Sequence, residues 1–141
     1  MIKSQFDNYE QILTEWLANF VDKNNEGFPL VYRNNSPSKK EIEEKIGVNK
    51  IYCVFTLFEG DFGEQTSQPI NLFSYGEKAR EKVFAKKELL SNALQNNAVV
   101  ISGNNIKVKL TSGSPFVQDR TDPDENVKGY YINMIATVYK V

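Results

Sequence analysis

The chain is 141 residues long, 40% hydrophobic and 25% charged, a length for one domain and a composition that excludes a largely disordered polymer. Seventeen basic residues against eighteen acidic ones leave a net charge of −1, without the basic excess that dedicated duplex binding uses. No histidine and a single cysteine, Cys53, exclude Ser-His-Asp and Cys-His catalysis, an intrachain disulfide and a cysteine-based structural zinc site.

The opening MIKSQFDNYEQ has no apolar h-region, so no secretory signal is expected, and the chain is read as soluble and intracellular at synthesis. The first predicted element is a helix. Asp7 and Glu10 form a box-like capping pair, and Tyr9, Leu13, Trp16, Leu17 and Phe20 recur as one apolar stripe. The polar run Asp22 to Gly27 ends it, and an extended segment, Phe28 to Arg33, follows, with Pro29 marking an edge or a strand start. Within the polar excursion Asn34 to Gly47, Ser38 and Glu41 cap a short helix over Lys39 to Ile46, which Gly47 stops.

Lys50 to Phe58 is the clearest strand. Ile51, Cys53, Phe55 and Leu57 share one face and Tyr52, Val54, Thr56 and Phe58 the other, so both faces are expected to be covered. The stretch is too short to span a bilayer. Glu59 to Gln68 reads as a turn-rich connection into a strand around Pro69 to Phe73. Ser74 and Glu77 make a third capping pair for a long helix, Tyr75 to Asn96, with Ala79, Val83, Leu90 and Leu94 inward and the basic stretch Lys78 to Lys87 facing water. Ala98 to Ser102 and Ile106 to Thr111 flank Gly103-Asn104-Asn105, a hairpin signal. Ser112 to Asn126 is taken as irregular, and Gly129 to Val141 as a terminal strand. The expected class is α+β: an antiparallel or mixed β-sheet with an N-terminal helix and a long middle helix packed on one face.

Motifs for chemistry are sparse. The acidic run Asp119-Arg120-Thr121-Asp122-Pro123-Asp124-Glu125 lacks the alternating oxygens and glycine turn of a calcium loop, and a solvated loop is the favoured reading. Pro123-Asp124 has no acidic-x-Lys pair downstream of it, as a nuclease would need; Glu43-x-Lys45 lies upstream. Lys78, Arg80, Lys82, Lys86 and Lys87 alternate with Glu77, Glu81 and Glu88, a solvated face of local ion pairs. Tyr52, Phe58, Tyr130 and Tyr131 could stack single-stranded bases, although core or subunit packing is the favoured account. Cys53 reads as an inert core thiol, and Ser112-Gly113-Ser114-Pro115 as a turn without a P-loop lysine. No enzyme activity, cofactor or metal is expected.

The C-terminal half carries a resemblance. Asn105-Ile106-Lys107-Val108-Lys109-Leu110, then Gly113-Ser114-Pro115-Phe116, a polar acidic loop, and Gly129-Tyr130-Tyr131 opening a strand that ends Val138-Tyr139-Lys140-Val141 is similar to phage tail terminator proteins. The order of elements, with the Trp16-Leu17 pair in the first helix, resembles that family over most of the chain; the excursion Asn34 to Gly47 is longer than in its shorter members. The resemblance implies a non-enzymatic virion protein of the tail or neck, assembled in the host bacterial cytoplasm as a hexameric ring. Such a ring caps the tail tube, ends its polymerisation and offers a surface for head joining. Its implied partners are copies of itself, the major tail tube protein and a head completion or connector protein, with DNA crossing the lumen without specific binding and no membrane contact. By the same analogy two segments are candidate contact loops. Glu59, Asp61, Phe62, Glu64 and Gln65 belong to the first; Gln118, Asp119, Arg120, Asp122, Asp124 and Glu125 belong to the second. Each could equally be a free surface loop. The alternatives are another head–tail connector or neck protein, or a small single-stranded nucleic-acid-binding module.

Overall fold

The computed structural model describes residues 3–58, 60–95, 97–121 and 127–141. Helix α1, Lys3–Leu17, runs on into a 3-10 turn, Ala18–Phe20. Tyr9, Leu13, Leu17 and Phe20 are buried as the stripe predicts, Ile12 joins them, and half-buried Trp16 meets the Phe20 ring edge-on at 5.0 Å between centroids. The helix starts ahead of Asp7, which is therefore an exposed helical position and not a cap. Phe6 packs against the core, and that contact draws the first turn into the helix.

After α1, Asp22 joins the chain to the sheet. Its N–H donates to the Ile51 carbonyl at 3.0 Å and its Oδ2 accepts the Ile51 N–H at 2.7 Å. Strand β1, Val31–Arg33, pairs with β2, Ile51–Phe55, and the pairing is parallel. The crossover between them holds α2, Lys39–Glu41, extended by a π-helical turn, Ile42–Ile46. Ser38 Oγ accepts the Glu41 N–H at 3.2 Å, and Gly47, at φ +97°, closes the last turn onto the Ile42 carbonyl. Capping pair and glycine stop are both as expected.

The remaining strands are β3, Gln65–Tyr75, β4, Val99–Gly103, β5, Ile106–Thr121, and β6, Val127–Lys140; α3, Ala79–Gln95, separates β3 from β4. They form one mixed sheet in the order β1-β2-β3-β6-β5-β4, antiparallel except for β1 with β2. This is the α+β class, with α1 and α3 on one face. Leu13, Leu17, Val83, Leu90, Ile70, Leu72, Leu110 and Met134 share that core. On the opposite face α2 covers only one end of the sheet, where Ile42 and Ile46 pack with Leu30, Tyr52, Phe73 and Val127. Tyr52 and Val54 thus have the cover expected of the second face of β2, whereas Phe58 lies beyond the strand, 45% exposed.

Three strands are longer than the sequence suggests. The ladder between β3 and β6 is unbroken from Gln65↔Thr137 to Tyr75↔Val127, so Ser74 is a buried strand residue and not a helix cap. Strand β5 continues through the Gly-Pro stretch, which is absorbed as an irregularity between Ser112 and Val117. Gly113 makes room there, because a Cβ would fall 2.9 Å from the Asn133 backbone carbonyl oxygen and 2.6 Å from its side-chain Nδ2. The Asn104-Asn105 turn joining β4 to β5 has both residues at positive φ, 52° and 65°, the geometry of a two-residue hairpin.

Candidate interaction surfaces

The first candidate segment is a tight turn. Asp61 N–H donates to Glu64 Oε2 and Glu64 N–H to the Asp61 carbonyl, both at 3.1 Å. Gly63, at φ +79°, donates its N–H to the Val138 carbonyl at 2.8 Å, which fastens the turn to β6. Phe62 packs against the main core, with Lys140 Nζ 5.0 Å from its ring centroid. Asp61 and Glu64 are exposed. Gln65 is not a loop residue: it opens β3, because the pairing with β6 already begins at Gln65↔Thr137. Glu59 lies outside the described residues.

The second candidate is corrected in the same way. Gln118, Asp119 and Arg120 are strand residues of β5, opposite Tyr131, Tyr130 and Gly129. Arg120 crosses β6 and donates from Nη1 to Asn71 Oδ1 at 3.2 Å. Gly129 leaves room for the Phe73 ring, since a Cβ there would lie 2.2 Å from Phe73 Cδ1 and 2.7 Å from the Leu72 carbonyl oxygen. Asp119 lines a surface cleft with Arg80, Lys128 and Tyr130. Asp122, Asp124 and Glu125 lie outside the described residues.

These two segments stand at opposite ends of the sheet. The Asp61–Glu64 turn meets β6 at Val138, whereas Arg120 pairs at Gly129, and the 14 residues of β6 span roughly 45 Å. Each end also carries an exposed apolar side chain, Phe58 near the first and Val48, 56% exposed, beside Gly76 at the second. Sequence reasoning missed Val48, which follows a helix-stop glycine and looks like any turn residue. The pairing also leaves unmatched edges: β4 covers β5 only from Ile106 to Leu110, and β1 has three residues.

The aromatics considered for base stacking do not share a platform. Tyr52 is buried against Tyr32 and Phe73, while Tyr130 and Tyr131 alternate to opposite faces of β6. Lys87 is drawn in from the basic stretch, its ammonium 4.2 Å from the Phe84 centroid and 5.1 Å from that of Tyr130. Burial pushes the Cys53 thiol well above its ordinary pKa, consistent with an unreactive side chain. Among the described residues no group of three or more Cys, Asp or Glu side chains is placed to hold a metal ion, and no helix is long and apolar enough to cross a membrane. No protein-family model matches the chain, and neither a curated protein nor a solved structure matches it.

Proposed function

We propose that this chain is a phage tail terminator, a non-enzymatic subunit that assembles as a hexameric ring on the end of the tail tube. On this reading the ring stops tube polymerisation, presents its other side to a head completion or connector protein, and lets DNA cross the lumen without gripping it. The observation that carries the proposal is the placement of exposed surfaces at both ends of one long-stranded sheet, Phe58 with the Asp61–Glu64 turn at one end and Val48 at the other. A cap that meets a tube on one side and a head on the other needs two separate surfaces held at a fixed distance. A sheet whose central strands run its full length supplies that spacing with little flexibility.

The test is mass by light scattering across a concentration series, negative-stain imaging of each peak, and addition of the chain to polymerising tube protein. A six-copy ring with a central hole that halts tube growth is expected. Rings that leave tube growth unchanged but join another neck component would place the protein among the connectors. A monomer that does not affect the tube and retains labelled single-stranded DNA in fluorescence anisotropy would replace the proposal with a nucleic-acid module.

A further inference from the structure

The hydrogen-bond pattern of the sheet points to the strands that join one subunit to the next, an inference that rests on the ring reading above. Cys53 N–H donates to the Leu30 carbonyl and Asn34 N–H to the Phe55 carbonyl. In a parallel pair with Val31↔Cys53 and Arg33↔Phe55, this directs Leu30, Tyr32 and Asn34 toward β2 and turns the backbone of Val31 and Arg33 outward. Val31 N–H and the Arg33 carbonyl are taken by local turns with Pro29 and Asn35. The Val31 carbonyl and the Arg33 N–H remain at the edge.

The far edge follows by alternation. Because Cys53 and Phe55 face β1, Tyr52 and Val54 bond to β3, Leu72 and Ile70 bond β3 to β6, and Gly129 and Tyr131 bond β6 to β5. Gln118 and Arg120 therefore face β6, and the backbones of Val117 and Asp119 face outward, beyond the reach of β4. The two open edges stand at one height: Val31, Cys53, Leu72, Tyr130 and Asp119 form a single row across the sheet, and Arg33 and Val117 end the row two residues further along. Strand β1 also runs antiparallel to β5, since it is parallel to β2 and the direction reverses at β3, β6 and β5.

We infer that the β1 edge of one copy pairs antiparallel with the Val117–Asp119 edge of the next. Asp119 N–H would donate to the neighbour's Val31 carbonyl, and the neighbour's Arg33 N–H to the Val117 carbonyl. All four side chains lie on the helix-bearing face, where Val31 and Val117 are both half-buried against the core and Arg33, whose guanidinium already pairs with Glu10 of its own chain, comes diagonal to the neighbour's Asp119. Each edge has an exposed aromatic beside it to be covered: Phe28, 62% exposed, ahead of β1, and Phe84, 48% exposed, next to Tyr130. The two surfaces differ, so the contact is heterologous and propagates head to tail, as a ring requires.

On the opposite face the junction places Tyr32 against Gln118 as a non-hydrogen-bonded pair, with Cα atoms about 4.5 Å apart, within disulfide range. Mixing Tyr32→Cys chains with Gln118→Cys chains under oxidising conditions is expected to give one covalent dimer on non-reducing gels, with neither variant cross-linking alone. The double variant should give a ladder of multimers. Buried Cys53 is out of reach of this reaction. Asp119→Pro removes an outward N–H without touching the ladder to β6, so it should keep the wild-type melting temperature and weaken association about tenfold or more. Multimers by light scattering with no cross-link, and with Asp119→Pro assembling as wild type, would overturn this junction and leave the ring standing. A chain that neither associates nor cross-links at any concentration would overturn both.

Discussion

At the scale of single residues, one polar contact inside the main core decides how α1 sits on the sheet. Tyr9 Oη donates to Gln68 Oε1 at 2.9 Å; Gln68 Nε2 donates to the Thr56 carbonyl at 2.8 Å, and its Oε1 also accepts the Phe58 N–H at 3.4 Å. Both side chains are buried, so the pair fixes the position of α1 against β3 where apolar contacts alone would let it slide. Tyr9→Phe should cost about 1 kcal/mol in urea unfolding, because Gln68 keeps its other partners. Gln68→Leu should cost more, roughly 1–3 kcal/mol, because it strands the tyrosine hydroxyl in the core. Burial raises the pKa of Tyr9 and of Cys53 above their ordinary values of 10.0 and 9.0. Their contribution to stability is therefore complete below about pH 9 and is lost as pH rises through the folded-state values. With no histidine to titrate, the melting temperature should be nearly flat from about pH 6 to 8 and fall in alkali, less steeply in Tyr9→Phe. Thermal scans across that range check the sign; a melting temperature that rises above pH 9 would contradict it.

At the scale of elements, the start of α3 shows how a distant residue can do a local job. Lys78 N–H donates to Asn49 Oδ1 at 2.9 Å, and Asn49 N–H donates to the Tyr75 carbonyl at 2.6 Å, so an asparagine from the turn before β2 caps the helix after β3. Asn49→Ala should destabilise the fold by about 1 kcal/mol, and hydrogen exchange should quicken first at the amides of residues 78–80. Unchanged protection there would show that the cap is dispensable. This contact also marks the boundary of what the sequence could reveal. The inward stripe of α3, the Ser38–Glu41 cap and the Asn104-Asn105 hairpin were legible because spacing and turn chemistry are local. The Ser74–Glu77 pair misled because Ser74 belongs to an antiparallel ladder whose partner, Lys128, lies far along the chain. Gln118 to Arg120 looked like loop because Gly113, Pro115 and a run of charges are turn formers, yet β6 holds them in register as an edge, where charged residues are ordinary. The parallel pairing of β1 was hidden for the same reason: nothing in Val31–Arg33 encodes its direction, which the α2 crossover imposes. Of the candidate contacts, the Asp61–Glu64 turn was readable from its glycine, and the use of β5 as an edge was not.

At the scale of the whole molecule, β3, β5 and β6 are the long strands of the sheet, and the terminator reading requires contacts in three independent directions: one from each end of these strands and one sideways through the open edges. Contacts that far apart should fail separately when mutated. Phe58→Asp, beside the Asp61–Glu64 turn, and Val48→Asp, at the other end, both replace exposed apolar side chains, so neither is expected to cost more than about 0.5 kcal/mol of folding stability. Neither position lies on β1 or on the Val117–Asp119 edge, so both variants should form rings of wild-type mass. Placed on a tube or offered to a head, each should lose one step alone: one variant should let tubes overgrow, and the other should cap tubes of normal length that stay headless. Tube-length distributions by electron microscopy, read beside head-attachment counts, separate the two outcomes. Loss of both steps in one variant, with the ring intact, would mean that a single end of the sheet meets both partners, and the two-surface argument for a terminator would fall.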